Sequence, residues 1–258
     1  SYRLVGSEMC IRDRIKSIIK EISEKKEAPK TLLSTGVSNA KTIKNNLKTY
    51  ILYLSPYNQN SKNHNLCPMA SEGCAAACLF TAGRGLMKPV LEGRIKKTEY
   101  FLRDKKSFIQ QLAKEIESKI LLAYKKNEKI AFRLNGTTDI DFIYLLNKFA
   151  KFDISKYKDI AVFYDYTKLI SKIKRYKDHA NYYLTFSRSE ENDSVARSVL
   201  SLGGNVAIVF RDKLPKYWNG YKVINGDESD LLMVYNKNVV LGLLAKGKAK
   251  HDKTGFVI

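Results

Sequence analysis

The sequence predicts an α/β fold, a partial (β/α) barrel of mostly parallel strands, about seven in number. Three observations predict it. Short apolar runs rich in Val, Ile, Phe and Tyr recur from residue 50 to residue 246, and most end in polar residues. Between most of them lie stretches with apolar residues at helical spacing, of a length suited to crossover helices. The chain has 258 residues, 44% of them hydrophobic, which suffices for one sizeable core.

The elements follow in order. In residues 1–14 the run GSEMCIRDR reads like a translated sequencing adapter. This segment is therefore treated as a non-native tail, and Cys10 is given no role. Residues 15–49 form an N-terminal helical extension, with IKSIIKEISEKKEA (15–28) as its periodic part. A single barrel domain then runs over 50–258. Its first strand is 50–54, stopped at Ser55-Pro56. The cysteine segment comes next, then a long helical stretch over 97–127 with a break near Asp104. KIAFRL, DIAVFY, NYYLTF and NVAIVF read as strands, and DFIYLLNKFAKF, LISKIKRYKDH and DSVARSVLSLGG as the helices between them, the last stopped by glycine. YKVING and NVVLGLLA supply two more strands.

Lys+Arg outnumber Asp+Glu 46 to 26, a formal charge of +20. The lysines are spread along the whole chain and the basic runs are short, so solvated faces explain most of them. Nucleic acid stands as a partner on the charge alone. No apolar run approaches the ~20 residues of a bilayer span, so no membrane partner is expected. No signal peptide is read, so an intracellular setting is expected. There, clustered cysteines bind metal or do redox chemistry more often than they form disulfides.

In parallel α/β folds the C-terminal strand ends carry the site. Here Asn135 and Asp139 end one strand, Asp165 and Lys168 the next, and Ser187, Arg188 and Glu190 a third. Asp227 and Lys246 end the last two. Each alone reads first as a cap or a solvated tail, Asp139 in particular as a helix cap. Together at one rim they form a candidate pocket. Asp165 and Lys168 are placed to pair or to hold a charged substrate, and Arg188 to grip a carboxylate or phosphate.

Three of the four cysteines, Cys67, Cys74 and Cys78, fall in one short segment, NLCPMASEGCAAACLF. Its alanines favour helix, which would put Cys74 and Cys78 on one face while Cys67 comes from the loop before. Four objects compete for these thiols. A structural zinc ion needs a fourth ligand, for which His64 is placed. A 4Fe-4S cluster held by three cysteines leaves one iron for another ligand. A reactive thiol pair lacks the usual two-residue spacing. Plain buried thiols are the fourth. Position favours the cluster, because the segment follows the first core strand and so lies at the polar rim.

The stretches LSPYN, NLCPMASEGCAAACLFTAGRG, RLNGTTDI, FYDYTK, LTFSRSE, NVAIVF, VINGD and LLAKGKAKHDKTGFV together resemble the phage gene product 88 family. The resemblance implies a virus-encoded protein acting in the cytoplasm of an infected bacterial host. It implies no particular reaction.

A looser likeness is to radical S-adenosylmethionine enzymes, where three cysteines after the first strand of a partial barrel hold a 4Fe-4S cluster. There the free iron binds S-adenosylmethionine. Here six and then three residues separate the cysteines, where that pattern has three and then two. Asn135-Gly136-Thr137-Thr138-Asp139 stands where a glycine-rich segment often does. These departures count against S-adenosylmethionine more than against the cluster.

The expected function is that of an iron–sulfur protein with a small molecule at the open iron, served by a host or phage electron donor. Arg84 follows the cysteines as a potential donor. Two rivals stand beside it: a zinc-stabilised nucleic-acid-binding protein or nuclease, and a non-enzymatic electron-transfer or sensing module.

Overall fold

The computed structural model describes residues 2–36, 47–78, 80 and 83–258. The side chains of residues 2–12, 83 and 84, and so those of Cys10 and Arg84, lie outside the described set.

An N-terminal helix α1 (Tyr2–Lys25) leads to strands β1 (Leu33–Thr35) and β2 (Lys48–Leu52). The cysteine segment follows, with a short helix α2 (Glu72–Ala76), and then α3 (Lys88–Arg103) and α4 (Lys105–Lys125). Strand and helix alternate from there: β3 (Ile130–Arg133), α5 (Phe142–Ala150), β4 (Ala161–Thr167), α6 (Ile170–Tyr176), β5 (Tyr182–Ser187), α7 (Asp193–Ser201) and β6 (Asn205–Phe210). Strands β7 (Tyr217–Trp218) and β8 (Tyr221–Asn225), helix α8 (Leu232–Tyr235) and strand β9 (Val240–Leu244) complete the order.

The strands form one nine-stranded sheet, β1-β2-β3-β4-β5-β6-β9-β8-β7. From β2 to β8 every pairing is parallel, and β1 and β7 pair antiparallel at the two ends. Among the described residues the end strands do not pair with each other, so the sheet is open. Each strand from β2 to β6 lies beside its predecessor. Right-handed crossovers then place the connecting helices on one face.

Packing follows from that. Phe108, Leu112 and Ile116 of α4 and Phe142 and Leu146 of α5 meet Tyr50, Phe132 and Phe163 of β2, β3 and β4 in the main core. Phe132 stacks on Phe163 with ring centroids 4.9 Å apart. Val199 and Leu200 of α7 cover Val206 and Ile208 of β6. The opposite face carries Ala131, Tyr164, Ala207 and Leu241, covered in part by Leu231 and Met233 around α8.

All seven expected strands are present; β1 and β7, three and two residues long, are additional. The expected break falls at Asp104, where α3 ends and α4 begins, and its carboxylate accepts the Ser107 N–H at 3.0 Å. Helix α1 begins well before residue 15, within the segment set aside as a tail. Its Ile15 and Ile18 pack on Leu91 and Ile95 of α3. No helix among the described residues is long and apolar enough to cross a membrane.

Candidate functional site

Past β2 the chain leaves the sheet through buried Leu54 and Ser55, whose N–H donates to Thr98 Oγ1 at 2.8 Å. The loop that follows is tied down polar group by polar group. Leu66 N–H bonds Tyr57 O at 3.0 Å, and Glu99 accepts Ser61 N–H at 2.7 Å. The Asn60 amide spans the backbone of His64 at 2.9 and 2.7 Å, and His64 itself is exposed. Asp139 N–H bonds Leu66 O at 3.0 Å, and Cys67 Sγ reaches Thr137 O at 3.6 Å. Cys67 is thereby pinned to the end of β3.

Helix α2 is five residues long, shorter than the alanine-rich sequence predicts. Propensity alone does not hold so short a helix; nucleation is unfavourable and outside contacts must supply the stability. Ser71 Oγ accepts Cys74 N–H at 3.3 Å, while the Glu190 carboxylate takes Gly73 N–H at 2.7 Å and Ser71 O–H at 2.8 Å. Ala77 caps the other end, and Cys78 N–H bonds Ala75 O at 3.4 Å in a tighter turn. Cys74 lies in the helix and Cys78 beyond it, which corrects the expectation that both share one helical face.

The three thiols lie near enough for their ionisations to oppose one another. Cys67 feels the charges of Cys78 and Cys74, and Cys78 that of Cys74. Burial raises all three above the ordinary thiol range, Cys67 to about 12. Among the described residues, no three His, Cys, Asp or Glu side chains form a group able to hold a metal ion. A lone tetrahedral zinc at ~2.3 Å from each sulfur needs sulfurs about 3.8 Å apart. A four-iron cluster takes each thiolate on a different iron and so accepts a wider triangle.

Two cations border the thiols. Lys168, just past β4, donates to Ser187 Oγ at 2.7 Å and Ser187 O at 3.3 Å, and lies 5.5 Å from the centre of the Phe256 ring. A weaker contact reaches Arg188 O at 3.5 Å, and Lys168 and Cys74 bear on each other's ionisation. Burial lowers the Lys168 pKa, and Cys74 and then Asp139 oppose that. Arg94 of α3 donates to Phe80 O at 3.2 Å and lies over the Tyr53 and Phe80 rings at 5.1 and 5.2 Å. Its Nε is buried with no hydrogen-bond partner among the described residues. Burial lowers its pKa too, opposed by Tyr53 and Cys78. Neither cation makes an ion pair with a carboxylate among the described residues.

The other strand-end residues are largely spent on structure. Asn135 donates from N and Nδ2 to Asp165 at 2.7 and 3.0 Å, and Tyr182 O–H joins at 3.1 Å. Asp165 is thus held under the rim, away from Lys168. Asp139 accepts from Thr167 Oγ1, Lys168 N and Lys172 Nζ at 2.8, 2.8 and 3.1 Å; the cap of α5 is Asp141. Arg188 binds Asp193, Gly255 O and Phe256 O at 3.0, 2.6 and 3.2 Å, so its guanidinium grips the chain's own residues. Asp227 pairs with Lys246 at 2.7 Å, with Lys246 half exposed.

Sequence reasoning missed Arg94, Ser71 and the segment Thr254–Phe256 that packs on α2. It also missed a buried ion pair beneath the rim, Arg133–Asp230 at 3.0 Å, with Tyr166 O–H at 3.2 Å from Asp230. Arg94 had no local signal; it is one basic residue on a lysine-rich helix. A groove of about 610 Å³ opens at the opposite strand ends, lined by Tyr176, Tyr182, Asn205 and Met233. It contains no thiol, and parallel sheets place their chemistry at the other end.

Fold and site define an α/β protein with a mostly parallel sheet and three partly buried cysteines in the segment that follows β2. The chain belongs to the gene product 88 family, whose model matches residues 30–258. No curated protein and no solved structure matches it. These comparisons carry no support for the likeness to radical S-adenosylmethionine enzymes.

Proposed function

We propose that Cys67, Cys74 and Cys78 hold a 4Fe-4S cluster at the C-terminal edge of the sheet, with one iron left to a non-cysteine ligand. On this reading the run β2 to β6, in which each strand lies beside its predecessor, belongs to a partial barrel whose mouth is the cluster site. The observation that carries it is electrostatic. Three partly buried thiols lie beside two cations that make no carboxylate ion pair among the described residues, and a partly buried charge without a close counter-charge is costly even with Asp139 and Glu190 nearby. Once the thiols ionise to bind iron, the site becomes net negative and meets that demand.

The residues present fit such a group. Cys67 is fixed by the end of β3, Cys74 by the Ser71–Glu190 cap, and Cys78 by the turn after α2. When bound, a cluster of this kind supplies one-electron chemistry and, at its open iron, Lewis acidity towards a small molecule. The protein's own part is to orient the sulfurs, to bring Lys168 and Arg94 against them, and to keep water away. The reading places the protein in the cytoplasm of an infected bacterium, with a host or phage donor supplying electrons.

Anaerobic purification followed by iron, sulfide and zinc analysis tests it. A brown protein with about four irons and four sulfides per chain, lost in the Cys67→Ala, Cys74→Ala, Cys78→Ala variant, is the expected result. A colourless protein with one tightly held zinc would overturn it.

A further inference from the structure

The groove at the N-terminal strand ends has the size of a ligand cleft, about 610 Å³. Its floor lies where β5 and β6 begin. Asn205 fixes that floor. Its amide donates to Met233 O and Asn236 O at 3.3 and 2.7 Å and accepts Val239 N–H at 3.2 Å, which ties α8 to the first residue of β6. Tyr176 of α6 stands on one side, its hydroxyl on Asp141 at 2.7 Å and its ring edge-on to Tyr182 at 5.1 Å. Tyr182 and Tyr183 point to opposite faces of β5, so ring surface reaches the groove from both sides of the sheet. Tyr182 is buried, and Tyr183 is half-buried.

Cations stand at both lips. Lys174 and Lys177 lie at the end of α6, and Lys237 lies just past α8 on the other face. All three are exposed, and none makes an ion pair among the described residues. Asp178 is the one acidic residue of the described lining. Because β2 to β6 run parallel, the loops that lead into them open on this same edge. Those loops add exposed Lys126 and Lys129 before β3 and Lys151, Lys156 and Lys158 before β4, against Glu128, Asp153 and Asp159.

We propose that this edge binds single-stranded nucleic acid, with a base against Tyr183 in the groove and phosphates on Lys174, Lys177 and Lys237. Aromatic faces beside a cationic track are what hold a single strand. A duplex keeps its bases stacked inward and offers the tyrosines nothing. A free nucleotide fills the groove but leaves the lysines along the edge unused. The formal charge of +20 adds long-range attraction, which salt screens. The surface lies at the opposite strand ends from the cysteines, so the inference is independent of what the thiols hold.

The test is fluorescence anisotropy of the full chain with a fluorescein-labelled thymidine oligonucleotide of about twelve residues, across a salt series. Replacing Lys174, Lys177 and Lys237 together by Ala removes three phosphate contacts. The slope of log affinity against log salt should then flatten by about 2, which is on the order of a hundredfold in affinity at 0.1 M salt. Tyr183→Leu should weaken binding about tenfold with the slope unchanged, and Tyr183→Phe should bind as the wild type does. Replacing Lys213, Lys216 and Lys222 by Ala removes an equal charge near the far end of the sheet and should change affinity little.

Equal losses in the two lysine triples would overturn the inference, because binding would then be diffuse surface charge. So would duplex binding as tight as the single strand, or thymidine monophosphate competing as well as the oligonucleotide. No binding by the wild type at low salt would end it outright. Circular dichroism melts check that each variant folds. Should Tyr183→Leu unfold, the lysine triples and their salt slopes decide alone.

Discussion

Gly73 is the position at which the cysteine segment can be dislodged with the least chemical change. A Cβ there would overlap the Thr254 hydroxyl and stand 2.7 Å from Phe256 Cβ and 2.8 Å from Glu190 Oε1. None of these yields cheaply. Thr254 Oγ1 is held by Asp252 at 2.8 Å and accepts Phe256 N–H at 3.2 Å. The Glu190 oxygen already accepts Gly73 N–H at 2.7 Å. Overpacking of this kind costs about 1–3 kcal/mol, and a hydrogen bond broken to relieve it adds about 1 kcal/mol.

Gly73→Ala should therefore destabilise by about 2–4 kcal/mol, which at roughly 3 °C per kcal/mol lowers the melting temperature by about 6–12 °C. The measurement is a thermal melt followed by circular dichroism, with bound iron assayed on the same samples. On the iron–sulfur reading, iron retention should fall with stability, because the displaced turn carries Cys74. Gly93, inside α3 with nothing within 4 Å of an added Cβ, is the control. Gly93→Ala should stabilise by about 0.5–1 kcal/mol through helix propensity. If Gly73→Ala and Gly93→Ala melt alike, the close seating of α2 on residues 254–256 and Glu190 is wrong.

Further outcomes follow from the same contacts. Asp230→Ala leaves Arg133 buried without its partner and should cost about 3–5 kcal/mol in urea denaturation, while Arg133→Met with Asp230→Leu recovers most of that. Glu190→Ala frees two donors at the start of α2 and should cost about 1–3 kcal/mol, with slower uptake of iron in timed reconstitution. Burial pushes the Cys67 thiol up to about 12, above the 9.0 of a free thiol. The folded thiol keeps its proton where the unfolded one has lost it. Its contribution to stability is therefore full below pH 9 and lost as pH rises towards 12, and Cys67→Ser should flatten that decline in denaturation curves taken across the range. For the same reason the folded thiols should react with iodoacetamide far more slowly at pH 8 than the unfolded chain does, and equal rates would argue against their burial.

What could be read in the sequence was local. Ile130–Arg133 and Asn205–Phe210 announce themselves as strands because parallel strands covered on both faces are continuous apolar runs. Asp104 marked its break because a capping carboxylate is a short-range signal. Strand β1 was hidden because its three residues carry no period, and its place comes from pairing with β2. At the site, the cysteines were legible through their number and spacing, and Lys168 through its place at a strand end. The short α2 was not, because Ser71 and Gly73 owe their order to Glu190, far along the chain. Asp139 misled for a related reason. A carboxylate before a helix reads as a cap, yet Lys172 and the Thr167 hydroxyl outcompete the helix N-terminus for it, and Asp141 two residues on takes that role.

The seat of α2 also imposes an order on how the molecule is made. Arg188 clasps Gly255 and Phe256, and Val257 bridges to Val209 of β6, so the wall behind Cys74 comes from positions translated long after the cysteines themselves. On the ribosome the three thiols emerge with neither wall nor counter-charge and spend much of synthesis as an unguarded, oxidisable cluster. On the iron–sulfur reading, assembly of the cluster would wait until residues 254–257 have folded against α2.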